Sequence, residues 1–323
     1  MKLGVVFSQA DSGTDPAAIR RFATDAEAAG FGHLMAYDHV LGASATMFTP
    51  PIGSFPNVPY TDQHTFHEIL MLFGHLAGIT TTLEFVTSVL VLPQRQTAVA
   101  AKQIATLDLL SGGRLHVSVG VGWNNVEYGA LGTDFATRTA RLSEQIAVMR
   151  RLWTEPLVTF RGQFHDFENV GINPLPTRPI PVWMGTNASD AALRRVVRDA
   201  DGWMPLILPG LDPVQLGPAV TRLRELCDEA GRDPATLPVW GRVYLGDGWP
   251  AKAEEAKALG CTHLSVGFNR MAHPEAGLAE HLDAIVAAKP DLDALVAAGP
   301  DSTCRMVGFI PPECYVNPLQ NAT

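Results

Sequence analysis

The feature that most narrows the folds open to this chain is a regular exchange between short apolar runs and longer stretches of helical period, the pattern of parallel βα units. Residues 3–8 (LGVVFS) read as a strand, and residues 15–30 as a helix with Pro16 in its first turn and Gly30 as its stop. Residues 33–37 form the next strand. A helix over 66–78 follows, then the most β-prone run of the chain over 83–92, stopped by Pro93. A helix over 98–111 ends at Gly112 and Gly113, a strand over 114–121 ends in glycines, and the longest amphipathic helix spans 138–153. Strand and helix then alternate through 180–184, 190–199, 202–208, 213–231, 239–245, 251–260, 263–267 and 274–289. About eight repeats in roughly 290 residues fit an α/β chain folded as a (β/α)8 TIM barrel better than an open doubly wound sheet.

Two stretches break the rhythm. Residues 42–64, polar and Pro-rich, follow strand 2, and residues 154–178 precede strand 5; long loops in compact domains usually carry function. The second insertion contains VTFRGQFHDF, whose Arg161, Gly162 and Gln163 suit a hairpin turn. The barrel accounts for residues 1–290 as one domain, and 291–323, which lack a clear period, read as an irregular tail packed on it or trailing from it.

Composition removes several classes of function. At 46% hydrophobic and 18% charged residues the chain can bury a large core. A net charge of −9 gives no basis for gripping a phosphate backbone, so no nucleic-acid partner is expected. No window reaches about 18 apolar residues, and the first eight residues are too short for a secretory signal, so the expectation is a cytoplasmic protein with no membrane partner. Cys227, Cys261, Cys304 and Cys314 match neither a disulfide framework nor a zinc pattern. They read as reduced and structural, with Cys304 and Cys314 the pair to check.

In a barrel, chemistry belongs at the C-terminal ends of the strands. Asp38 and His39 follow strand 2: the imidazole can exchange a proton near neutral pH and the carboxylate can orient it, although by itself the pair reads more simply as strand-end residues bonded to backbone. Gly120, Gly122 and Trp123, in VSVGVGWNN after strand 4, suggest a flat ring lying against backbone, or simply a barrel that needs small residues there. They do not form a dinucleotide fingerprint. Gly185, Thr186, Asn187, Ala188 and Ser189 lead into a helix, where free N–H groups suit a phosphate and Ser189 suits ordinary capping.

Other features carry less. In HTFHE, His64 and His67 would share a helix face with Glu68 following, and His75 lies farther on. The motif is not HExxH and has no evident third ligand, so no metal is expected. There is no GxSxG elbow, and no cysteine falls on a strand end. Arg138, Arg141, Arg150 and Arg151 read as the solvated face of their helix.

Taken together these segments resemble the luciferase-like flavin and deazaflavin monooxygenases and reductases, in the branch of coenzyme F420-dependent oxidoreductases. The resemblance runs to about residue 290 and is carried by YDH at 37–39, TSVLVLP at 87–93, AAKQIATLDLLSGGRLHVSVGVGW ending at Trp123, RLWTEPLVTFRGQFHDF at 151–167 and PIPVWMGTNASDAALRRVVRDADGW at 179–203. It implies a tricyclic ring at the C-terminal mouth and a non-prolyl cis peptide after strand 3 that bulges against the ring, here Ser88–Val89. It also places Asp38 and His39 beside the deazaflavin and gives its phosphate to Gly185, Thr186 and Asn187. Some deazaflavin-dependent relatives carry a Gly-Glu pair after strand 4, whereas this chain has Trp123, Asn124 and Asn125, which leaves the proton donor unassigned. Glu127 is close in sequence and also reads as a helix cap.

The expectation is an oxidoreductase moving a hydride between F420 and a small organic substrate (C=C, C=N, C=O or an alcohol), with His39 handling the proton and Asp38 positioning ring or imidazole. The alternative keeps the fold and uses FMN with O2 as a monooxygenase; a remoter one is a non-catalytic barrel that binds a small ligand. Substrate contacts are expected in 42–64, 154–178 and the loops after 206 and 268. The resemblance also implies a homodimer.

Overall fold

The computed structural model describes residues 1–49, 58–207, 215–246, 248–268 and 276–298. The chain runs through β1 (Lys2–Phe7), α1 (Pro16–Ala28), β2 (His33–Ala36), α2 (Ile69–Ala77), β3 (Glu84–Thr87), β4 (Leu90–Val91), α3 (Thr97–Leu110), β5 (Leu115–Gly120), α4 (Asn125–Ala130) and α5 (Arg138–Thr154). The hairpin β6 (Val158–Arg161) and β7 (Asp166–Val170) follows, then β8 (Val182–Thr186), α6 (Asp190–Asp199), β9 (Gly202–Pro205), α7 (Leu216–Glu229), β10 (Trp240–Leu245), α8 (Trp249–Ala258), β11 (His263–Phe268), α9 (Leu278–Ala287) and α10 (Lys289–Ala297).

Eight parallel strands line up in the order β10-β11-β1-β2-β3-β5-β8-β9. The ends of this row meet: Trp203 of β9 bridges Val239 in parallel, and its N–H donates to the Pro238 carbonyl at 2.9 Å. The sheet therefore closes as the expected (β/α)8 barrel, with helices outside. The interruption before strand 5 is the antiparallel hairpin β6–β7, with Arg161 paired to Asp166 across the turn.

Local chemistry explains the outer layer. The Asp15 carboxylate accepts the Ala17 N–H at 2.9 Å, Pro16 opens α1, and Ile19, Phe22, Ala23 and Ala26 turn one apolar face to the sheet. In α6, Ala192, Leu193, Val196 and Val197 are buried, while Arg194 and Arg198 are on the outer face. Arg114 ties the N-terminal end together by donating to the carbonyls of Ala77, Thr80, Leu83 and Ser111.

Inside the barrel every second residue of a strand points to the axis. At the N-terminal end those positions hold large rings: Trp240 stacks on His263 at 4.0 Å between centroids and meets His33 edge-on at 4.8 Å. Val6, Met35, Val86, Trp183, Met204 and Trp240 form the apolar plug around this layer.

Some expectations need correction. Residues 66–68 are not helical; α2 starts at Ile69, and Glu68 caps it by accepting the Met71 N–H at 2.8 Å. The run 83–92 is broken between β3 and β4. Of the tail expected to be irregular, Asp291 to Ala297 belongs to α10, whose Leu292 is buried; from 299 on the tail lies outside the described residues. Cys227 and Cys261 are buried free thiols, and Cys304 and Cys314 lie outside the described residues. Among the described residues no helix is long and apolar enough to cross a membrane.

Candidate active site

A cavity of about 690 Å³ opens at the C-terminal ends of the strands, within the roughly 300–1,000 Å³ of small-molecule sites. Asp38, His39, Ser88, Val89, Gly122, Trp123, Gly185, Thr186 and Asn187 all line it, brought together from β2, the β3–β4 junction, the end of β5 and the end of β8. Gly120 does not line it, and the structure gives its glycine a different reason. A Cβ at Gly120 would stand 2.4 Å from Val89 Cγ2, and one at Gly185 would stand 2.1 Å from Val89 Cγ1. These two glycines make room for the Val89 side chain, which fits the reading of Gly120 as a position where the barrel needs a small residue. Gly122, at φ +65°, likewise yields to Val91 Cγ1, 2.6 Å from where its Cβ would be.

The Ser88–Val89 peptide is cis. Its flanks are pinned on both sides: Ser88 N–H donates to the Ala36 carbonyl at 2.8 Å, and Thr87 Oγ1 donates to the Ser118 carbonyl at 2.8 Å while accepting the Ser118 N–H at 2.9 Å. On the far side the Val91 N–H donates to Asp38 Oδ2 at 3.0 Å. Asp38 Oδ1 pairs with Arg95 at 2.8 Å, and Arg95 reaches Glu68 at 2.8 Å. Burial pushes the Asp38 carboxyl up from its ordinary range, against the pull of Arg95 and the Val91 N–H. One Asp38 oxygen thus holds Val91, which follows the bulge, and the other is engaged by Arg95.

His39 has a different partner. Its Nδ1 faces Glu127 Oε2 at 3.3 Å. Glu127 is a buried hub: Oε1 accepts the N–H groups of Val40 at 2.6 Å and Leu41 at 3.0 Å, and Oε2 accepts from Gln94 at 2.9 Å and Tyr60 at 3.2 Å. Burial opposes its ionisation, but the bonds from His39, the Leu41 N–H and Gln94 hold its carboxyl down to about 2. The cap of α4 is Asn124, whose Oδ1 accepts the Val126 and Glu127 N–H groups, so Glu127 is not the cap it resembles in sequence. The imidazole packs on Tyr60 at 3.9 Å between centroids, with Phe66 and Trp123 edge-on. With Nδ1 held by a carboxylate, Nε2 is the nitrogen left for a ligand.

At the far wall, Gly185, Thr186 and Asn187 precede α6, whose N-cap is Ser189. Asn187 Oδ1 accepts the Ser189 N–H at 3.2 Å, shaping this turn. Arg138 also lines the cavity, its guanidinium 3.7 Å from the Phe135 ring and its Nε buried without a partner, so for this arginine the solvated-face reading fails. Arg242 of β10 is a further buried lining residue the sequence reading passed over. A lone charge in the run WGRVYL was the available signal.

The HTFHE residues do not converge. His64 Nδ1 accepts the Thr61 N–H at 3.0 Å, and His67 Nε2 donates to the Gly13 carbonyl at 3.0 Å. Of the regions expected to touch substrate, Met47, Phe48, Thr49 and Leu206 line the cavity. Residues 50–57, 208–214 and 269–275 lie outside the described residues.

Comparison with known proteins agrees with this fold. Residues 1–300 match the profile of the luciferase-like monooxygenase family. The chain belongs to that family. It is 35% identical over 263 residues to the Mycobacterium tuberculosis (strain ATCC 25618 / H37Rv) protein Rv0940c, covering 81% of this chain and 88% of the relative. Among solved structures, monooxygenase RslO1 from Streptomyces bottropensis superposes with a TM-score of 0.61 at 23% identity, over 92% of this chain and 82% of that one. An F420-dependent secondary alcohol dehydrogenase in complex with an F420-acetone adduct gives 0.59 at 21% identity, over 80% and 74%.

Proposed function

We propose that this chain is an oxidoreductase that transfers a hydride between F420 and a small organic substrate at the C-terminal mouth of the barrel. The observation that carries the reading is His39, held by Glu127 at Nδ1 and set, together with Val89, in the wall of the cavity. The residues fit a planar cofactor with a phosphate tail. The cavity has the necessary size, Val89 and Trp123 offer apolar contact, and Arg138, which lines the same cavity as Gly185, Thr186 and Asn187, carries a buried Nε without an acceptor.

Bound deazaflavin supplies the hydride chemistry. The chain's own residues do the rest. Val89, backed by Gly120 and Gly185, supports the ring; the α6 N-terminus and Arg138 hold the phosphate; and Trp123 and Phe48, 5.6 Å apart between ring centroids, shield the mouth from water. His39 exchanges the proton through Nε2, while Glu127, at Nδ1, fixes the orientation of the ring. Asp38 acts one step back, by anchoring the bulge.

The test is to supply reduced F420 anaerobically with candidate carbonyl, imine and alkene acceptors, and separately FMN with a reductant and O2. Turnover with F420 alone supports the proposal. Substrate-dependent oxygen uptake with FMN alone assigns the chain to flavin monooxygenation, and binding without turnover of either assigns it to ligand binding.

A further inference from the structure

Arg95, half-buried behind the cavity wall, and Arg242, buried in it, are treated differently. Arg95 is paired with two carboxylates, Asp38 and Glu68, each at 2.8 Å. Arg242 is only 5% exposed, yet no carboxylate among the described residues pairs with it. Its Nη1 donates to the Ile207 carbonyl at 3.3 Å. Its Nη2 meets the thioether sulfurs of Met35 at 3.0 Å and Met204 at 3.6 Å, and the Ser88 hydroxyl. Its Nε is buried without an acceptor. The face of Tyr37 lies 5.7 Å away, and the Tyr37 and Tyr244 hydroxyls, bonded to each other at 2.5 Å, both interact with the guanidinium, though as neutral groups they bring no counter-charge. Thioethers are weak acceptors, a guanidinium keeps its proton at any ordinary pH, and a buried charge without a counter-charge is costly.

The position of this charge gives it a use. Arg242 lines the cavity and touches Ser88, the residue before the bulge. A guanidinium presents donors in a planar fork that matches a delocalised pair of oxygens. The rest of the wall offers apolar bodies in Phe48, Val89, Trp123 and Leu206.

We infer that Arg242 is an oxyanion-binding residue whose counter-charge arrives with the ligand, so that the cavity takes a flat molecule with a delocalised anionic oxygen or carboxylate at its buried end. The anion has two possible sources: the pyrimidinedione edge of a reduced ring cofactor, or an aromatic or conjugated carboxylate substrate. The first source rests on the proposed function, and the second needs only the cavity.

The experiment compares the full-length wild type with Arg242→Met and Arg242→Lys. Without ligand, Arg242→Met melts higher by about 2–4 °C, because an unpaired buried charge is removed. A lower melting temperature would mean that Arg242 is structural glue and overturns the inference. Two ligand arms follow. In the first, benzoate and its neutral counterpart benzamide are titrated by equilibrium dialysis; in the second, the affinities of reduced and oxidised FMN are measured anaerobically. A loss of about tenfold or more in benzoate binding in Arg242→Met, with benzamide unchanged and Arg242→Lys intermediate, assigns the anion to a substrate. A similar drop in the ratio of reduced to oxidised FMN affinity assigns it to the ring. If neither measure distinguishes wild type from Arg242→Met, the inference is wrong. If neither FMN nor F420 binds wild type, the proposed function fails by itself and the benzoate arm still decides the role of Arg242.

Discussion

The two ends of the barrel axis are built from the same parallel strands with the same alternation, yet one is solid and the other hollow. At the N-terminal end, rings meet across the axis, with Trp240 stacked on His263 and edge-on to His33. Glycines there serve filling: a Cβ at Gly4 would stand 2.1 Å from the His33 ring, and one at Gly202 2.3 Å from Trp183. At the C-terminal end, Gly120 and Gly185 yield to a single valine, and the space beyond Val89 is the cavity. The difference lies in side-chain volume at equivalent inward positions, and it separates duties. At the base the axis is packed, and at the mouth it opens into a cavity lined by charged side chains such as Asp38, Arg138 and Arg242.

The contrast would be broken most sharply by His39→Ala. Turnover with whichever cofactor proves active should fall by about 10²–10⁴-fold under conditions where chemistry limits the rate, with the melting temperature little changed. Single-turnover kinetics beside thermal unfolding measure both. Glu127→Ala probes a mouth residue with a structural share. It leaves the Val40 and Leu41 N–H groups and Gln94 without their acceptor, and urea unfolding should show a loss of about 2–4 kcal/mol. At the base, Gly4→Ala should cost about 1–3 kcal/mol by overpacking against His33 while cofactor affinity stays at the wild-type value.

The smallest effect is in the pH dependence of stability. Burial, and then the neighbouring His116, push His263 down to about 4, and burial lowers His33 in the same direction. Below the ordinary histidine range of about 6.5 the unfolded chain takes up protons that these folded imidazoles refuse. Stability should therefore decline as pH falls from about 6.5 towards about 4. Glu84, held at about 2 against the cost of burial by His116 and Lys2, adds a separate loss between about 4.5 and 2. Replacing His263 with Phe should flatten the first decline in urea titrations run across pH.

Much of this architecture is legible in the chain because its signals are local. Alternation of period, Asp15 before Pro16, and Gly30 and Gly112 after their helices each act within a few residues, and each element formed near its expected place. The bulge was reached through resemblance, not through period, since nothing in TSVLVLP breaks the β pattern. What could not be read is long-range pairing. Glu127 meets His39 across 88 positions, and Arg95 meets Asp38 across 57. For Gly120 the residues alone leave two readings open, and the structure favours the one in which the barrel needs a small residue, because Val89 fills the space its missing Cβ leaves. Arg138 reads as solvated because helical period sees only its own helix, whereas the cavity it lines is built from residues of several other elements.

The central claim is that the mouth, and not another part of the barrel, holds a planar ring cofactor with its phosphate at the turn before α6. It is tested most directly by equilibrium titration of F420 and FMN into the wild type, Asn187→Asp and Gly4→Ala. The account predicts micromolar binding of one of them to the wild type and to Gly4→Ala, with a loss of about tenfold or more in Asn187→Asp, where a carboxylate would face the phosphate. Binding of neither cofactor, or equal affinity in Asn187→Asp and wild type, would contradict it.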